Sequence, residues 1–182
     1  LTASNTNGYQ VIFTNGDDGE YVVPTGAYVY TPDDANSELV VYPDAAYVAQ
    51  IGETKYISLA EAVAAAEAGD TITVIAPIEL TETVTVDKEV TLDLNGQEIT
   101  ADVDNLFGSI YVNKTGNLTV KDETGKGKIT NTAGTAIGNY GTVTVEGGTI
   151  AAAEDSAGAA LYNFNYQGEL YGTSTIAGGT MK

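Results

Sequence analysis

The chain has 182 residues, enough for one domain or a domain with a small appendage, and it carries 7 Lys, no Arg and 25 acidic residues for a formal charge of −18. That charge argues against nucleic acid and anionic membrane surfaces as partners and favours cations. Cys and His are both absent, which removes disulfides, thiolate and imidazole nucleophile systems, structural zinc and the commonest transition-metal ligands.

Residues 1–46 read as a small β-segment, either a module of its own or added strands for the rest of the chain. Strands are expected at Tyr9–Thr14, Glu20–Val23, Ala27–Thr31 and Glu38–Tyr42, separated by turn-forming runs at Asn15–Gly19 and Pro32–Ser37. Tyr47–Ile51 and Lys55–Ile57 suggest a further hairpin across Gly52-Glu53-Thr54. Ser58-Leu59-Ala60-Glu61 then forms a capping-box pattern. Leu59, Ala62, Val63 and Ala66 follow at helical spacing until Gly69-Asp70, predicting a helix over 58–68 whose apolar stripe lies on the β-rich remainder. No apolar run approaches the ~20 residues of a membrane helix, so membrane insertion is not expected.

From Thr71 onward the pattern is one of short strands with no helical period. They are expected at Thr71–Ile75, Thr83–Val86, Val90–Leu94, Ile110–Val112, Leu118–Val120, Val143–Val145 and Ala159–Tyr162. The stretch Ala136–Ile150 recurs with variation at Ile110–Ile129 and Ala160–Met181. Equivalent apolar positions fall 26, 25 and 31 residues apart at Leu94, Val120, Val145 and Ile176, and Asn113, Asn139 and Asn163 fall 26 and 24 apart. Two markers with one period indicate a stacked repeat. Short strands with no crossover helix exclude a βαβ unit. The expected fold is therefore a mainly β, parallel β-helix of four to five coils over 47–182, with the helix as an N-terminal cap. Val would point inward and Thr outward along Thr142–Val145, and the three Asn would stack as an amide ladder. The chain lacks an initial Met and stops at Met181-Lys182 partway through a repeat, so further C-terminal coils are expected.

The helix followed by Gly69-Asp70-Thr71-Ile72-Thr73-Val74, the Leu92-Asp93-Leu94-Asn95-Gly96 run and the Ala136–Ile150 stretch resemble the right-handed parallel β-helix proteins of the pectin-lyase-like superfamily. More closely they resemble adhesin-like repeat proteins of bacterial surfaces. The resemblance spans roughly Tyr47–Lys182 and implies a right-handed coil. It also implies two classes of function: a non-catalytic secreted or surface module acting as adhesin, stalk or glycan-binding element, or a polysaccharide lyase or glycoside hydrolase acting on an acidic polysaccharide. Family lyases use an Arg or Lys base with Ca²⁺ held by acidic residues, and family hydrolases use clustered Asp with His and Arg. The lack of Arg and His here favours the first class, and Lys114, Lys121, Lys126 and Lys128 read as solvated turn charges. Composition together with the resemblance places the protein outside a bacterial cell or on its surface.

Three stretches are candidate sites. Asp102, Asp104 and Asn105 offer oxygen donors suited to Ca²⁺, set against the plainer reading of a solvated acidic turn; no cofactor is otherwise required. Asp17-Asp18-Gly19-Glu20 admits the same two readings. The interval from Asn163 to Ile176 is 13 residues where that from Asn139 to Val145 is 6, so about seven residues are inserted over Phe164–Thr173. Tyr162, Phe164, Tyr166 and Tyr171 cluster there. Exposed rings at such an exit from a stacked repeat can bind a polysaccharide, a host or cell-surface glycan, or a protein. Alternatively they cover the end of the coil.

Overall fold

The computed structural model describes the backbone of residues 2–5, 9–14, 18–22, 27–29, 41–43, 47–153, 157–166 and 169–182, and the side chains of 47–153, 157–165 and 171–182. The chain divides into two compact units, Leu1–Tyr47 and Val48–Lys182. In the first, Thr2–Asn5, Tyr9–Thr14 and Asp18–Val22 form an antiparallel sheet, and Ala27–Val29 pairs antiparallel with Val41–Pro43. Of the turns expected at 15–19 and 32–37, residues 15–17 and 32–37 lie outside the described residues, as do the side chains of Asp17 to Glu20, whereas Asp18 and Gly19 belong to the strand Asp18–Val22.

The second unit is mainly β, with long parallel sheets and one helix. Three parallel sheets are built from strands that recur in fixed order along the chain. The first contains Asp70–Val74, Glu89–Asp93, Asn117–Lys121, Thr142–Val145 and Thr173–Ile176, and the antiparallel hairpin Ala49–Ile51/Thr54–Tyr56 extends it. The second contains Ile78–Leu80, Glu98–Ala101, Lys128–Asn131, Thr149–Ala152 and Thr180–Met181. The third contains Val84–Val86, Ile110–Val112, Ile137–Asn139 and Leu161–Asn163. Each strand pairs in parallel with the strand one circuit later, after the chain has visited the other two sheets.

Alternation within these strands sends every second side chain to one shared interior. Strand pairing then stacks like on like: Ile72, Leu92, Val120, Val145 and Ile176 in the first sheet, Ile78, Ile99, Ile129, Ile150 and Met181 in the second, and Val84, Ile110, Ile137 and Leu161 in the third. Inward residues of all three sheets form a single buried cluster, with Leu161 and Met181 of the last strands packed partly buried against it and Ile176 half-exposed. Each fully buried Val, Ile or Leu contributes about 1.5–3 kcal/mol, so the columns are the main source of stability.

The helix occupies Leu59–Ala65. Ser58 caps it as expected, its Oγ accepting from the Glu61 N–H at 3.1 Å. Leu59, Ala62 and Val63 are buried in the same cluster as Ile72 and Val84. The helix is shorter than the expected 58–68 because the backbone turns extended at Ala66, with ψ 143°, and Lys88 Nζ satisfies the freed carbonyls, donating to Ala66 O at 3.0 Å and Ala64 O at 3.2 Å. Asp70 Oδ2 then accepts from Glu67 N at 2.8 Å and turns the chain toward the first parallel strand.

Three details of register differ from the sequence reading. Val120 pairs with Leu92, not Leu94. Leu94 is also buried, but it lies past the strand end, its N–H donating to Lys121 O at 2.9 Å. The loop 102–109 is longer than the loop 132–136, so the circuits do not share one length. Asn139 and Asn163 do stack, with Asn139 Nδ2 donating to Asn163 Oδ1 at 2.8 Å, but the residue below Asn139 is Val112. Asn113 lies one position on, in a turn where its Oδ1 accepts from Thr115 N at 2.9 Å. Lys121 and Lys128 lie at strand ends rather than in turns, paired with Asp93 at 3.2 Å and Glu98 at 3.3 Å on the preceding strands.

Candidate functional site

The outward side of the third parallel sheet has a run of aligned positions: Thr85, Tyr111, Gly138 and Tyr162. Alternation dictates these positions, because Ile110, Val112, Ile137 and Asn139 must face the core. Gly138 is outward-facing yet buried. A Cβ there would collide with the Phe107 carbonyl and come within 3.1 Å of Phe164 Cε2. The missing side chain is thus the space into which a backbone and a ring from two neighbouring loops settle.

Six rings meet around this point. Phe107 lies 4.8 Å from Tyr111 and 6.1 Å from Phe164 by ring centroids. Phe164 is also 6.0 Å from Tyr111, 6.3 Å from Tyr140 and 5.1 Å from Tyr162, the contacts with all three tyrosines being edge-on. Tyr171 stacks on Tyr140 at 4.9 Å. All these separations lie in the attractive range for aromatic pairs, each worth about 0.5–1.5 kcal/mol beyond area burial. Burial, and then the neighbouring Tyr140, push the Tyr111 hydroxyl above its ordinary pKa. The patch is not sealed: Phe107 is 46% and Tyr162 44% exposed.

Two loops deliver the rings that strands do not carry. The residues inserted after Asn163 form a short antiparallel pair, Asn165–Tyr166 with Glu169–Leu170. Phe164 N donates to Asn139 O at 2.8 Å and Tyr171 N to Phe164 O at 3.1 Å, so the excursion is tied to the sheet at its start and closed on itself at its base. Lys114 Nζ lies 6.0 Å from the Tyr171 ring centroid. On the other side, Asn105 holds the Phe107 loop. Its Oδ1 accepts from Phe107 N at 2.8 Å and Gly108 N at 2.9 Å, and its Nδ2 donates to Thr83 Oγ1 at 2.8 Å.

Of the residues singled out in the sequence, Tyr162, Phe164 and Tyr171 are brought together here. The side chain of Tyr166 lies outside the described residues. Asp102, Asp104 and Asn105 lie together on the loop 102–109, with Asp102 and Asp104 exposed on either side of the buried Val103, and the Asn105 oxygen already accepts from two backbone N–H groups. Asp102 Oδ1 accepts from Thr132 Oγ1 at 3.5 Å. Among the described residues no three acidic side chains form a group that could hold a metal ion. Asp104 and Asn105 instead line an open groove of about 450 Å³ that also touches Thr135 and Tyr162. The acidic turn and the aromatic insertion, distant in sequence, therefore border one surface.

Sequence reasoning missed Phe107, Tyr111 and Tyr140. Tyr111 was recoverable, since Ile110-Tyr111-Val112 repeats the in-out-in pattern of Leu161-Tyr162-Asn163. Phe107 and Tyr140 stand outside strands, where no period marks them. A larger open groove of about 1300 Å³ is lined in part by Leu161, Ile176 and Met181, the last members of three inward columns. Its apolar character follows from being the edge of the stack.

Comparison of the chain with protein-family models, with curated proteins and with solved structures finds no match. No helix among the described residues is long and apolar enough to cross a membrane.

Proposed function

We propose that Val48–Lys182 is a right-handed parallel β-helix, with the Leu59–Ala65 helix closing its N-terminal end, and that the protein is a non-catalytic, secreted or surface-displayed bacterial module that recognises glycans. The cyclic order of the three sheets supports the coil, and the strong bias of strand crossovers supports its hand. The absence of Arg and His supports a binding role over the lyase and hydrolase chemistry that the resemblance implies.

The observation that carries the reading is the gathering of Phe107, Tyr111, Tyr140, Tyr162, Phe164 and Tyr171 on one outer face, partly open to solvent. Sugar rings present apolar C–H faces edged by hydroxyls, and a ring surface bordered by tyrosine hydroxyls and a carboxylate complements both. The test is to pass the purified chain over immobilised neutral and acidic polysaccharides, with Ca²⁺ and with chelator, recording retention and the release of shorter products. Retention without release is expected. Release would establish the carbohydrate-active-enzyme alternative, and absence of retention on every polymer would refute glycan recognition.

A further inference from the structure

Resting on the glycan reading, we infer that the ligand is an uncharged glycan chain of several sugars, lying along a continuous track from Lys114 and Tyr171, across Phe164 and Tyr162, into the groove beside Asp104. The rings form a connected path: Tyr171 to Tyr140 is 4.9 Å, Tyr140 to Phe164 is 6.3 Å and Phe164 to Tyr162 is 5.1 Å between centroids. Tyr162 belongs both to this path and to the lining of the groove that holds Asp104 and Thr135. A single sugar cannot reach from Tyr171 to the groove beside Asp104, whereas a chain can engage the rings and the groove together.

Charge selects the class of chain. A polyanion approaches a protein of formal charge −18 against a repulsive field and ends at the exposed Asp104 carboxylate. A polycation is favoured by that overall charge but is opposed locally by Lys114, whose ammonium lies 6.0 Å from the Tyr171 ring centroid at the other end of the track. An uncharged chain suffers neither penalty, and its hydroxyls can donate to Asp104. Asn105 cannot play that part, since its amide oxygen already accepts from Phe107 N and Gly108 N. Asp104 has no partner among the described residues.

The test is isothermal titration calorimetry of the full chain with glucan, mannan and xylan oligomers of one to six sugars, set beside uronic-acid oligomers of the same lengths. At least one uncharged series should show no measurable binding for the single sugar and a gain of about tenfold or more from the dimer to the pentamer. Asp104→Asn should keep the melting temperature and reduce affinity for the longest oligomers while leaving the shorter ones unchanged. Tighter binding of uronic-acid oligomers, or a single sugar held as well as a pentamer, would overturn the inference and leave glycan recognition standing. Absence of binding by every oligomer would overturn both.

Discussion

Gly138→Ala distinguishes a glycine required by packing from one that merely tolerates a strand. Gly138 does not have a positive φ, so its backbone conformation accepts a side chain. On backbone grounds alone the change would stabilise the protein by about 0.4–1 kcal/mol through the unfolded chain. The local geometry predicts the opposite sign. The new Cβ would strike the Phe107 carbonyl oxygen, lie 2.9 Å from the carbonyl carbon and sit 3.1 Å from Phe164 Cε2. A carbonyl cannot swing aside as a side chain can, so the 107 loop must shift or the Phe164 ring must leave its four aromatic neighbours. Overpacking of this kind costs about 1–3 kcal/mol. In urea denaturation the midpoint should fall with the slope unchanged, and retention on glycan should fall with it because the ring surface is disturbed. A raised midpoint would refute the account of Gly138 as the seat of the aromatic patch.

Val145 is fully buried in the first-sheet column, so Val145→Asp should cost more than about 4 kcal/mol by circular-dichroism-monitored unfolding, and native-like stability would overturn the register. Asn139→Val restores the apolar side chain found one strand earlier at Val112. It also strands the Gly141 N–H and the Thr173 carbonyl, which the amide contacts at 3.0 and 2.9 Å; a loss of about 2–5 kcal/mol is expected in urea, and a neutral result would show that the amide contributes no net stability. For Asp122, burial raises the carboxyl pKa, but hydrogen bonds from Gly127, Thr124 and Gly96 outweigh it and hold the group below its ordinary 3.8. Its stabilisation is therefore complete above the unfolded-state value and is lost as pH falls through the lower folded value. Urea midpoints measured down that acid range should fall less steeply in Asp122→Asn, and an unchanged slope would count against the carboxylate. Tyr171→Ala should weaken glycan retention while the melting temperature stays within a few degrees, and a large drop would make the ring part of the core.

The first parallel sheet was the most legible because its strands are long enough to alternate visibly. Thr142-Val143-Thr144-Val145 sends two Val inward, and both are fully buried. The second sheet was nearly invisible. Glu98–Ala101 has one large inward residue, Ile99, and Lys128–Asn131 pairs inward Ile129 with a buried Asn131 whose amide bonds to Val103 and Thr135. No periodic signal survives in four residues with such contents. The site was half legible for a related reason. An insertion shows as extra length, which exposed Tyr162, Phe164 and Tyr171, whereas Phe107 enters through a loop whose length had no reference, and Gly138 acquires meaning only once Tyr111 and Tyr162 are known to flank it.

The three outer faces share one interior and differ in what they present, and that difference supports the proposed binding face. On the first sheet Thr71, Thr91, Thr119, Thr144 and Thr175 align, and on the second Glu98 and Lys128 pair across strands. Threonine and cross-strand ion pairs are what strand propensity and solubility supply without further demand. Tyr111 and Tyr162 on the third sheet would pass on the same ground. Phe107, Tyr140, Phe164 and Tyr171 would not, since all four lie outside strands. Loops that only have to return the chain favour Gly, Asn, Asp and Ser, and a half-exposed Phe such as Phe107 forgoes much of the gain from burial. Where residue choice departs from what folding requires, the departure answers to another constraint. Here four loop rings converge on one face, and recognition of a ligand with apolar faces is a constraint that accounts for all four.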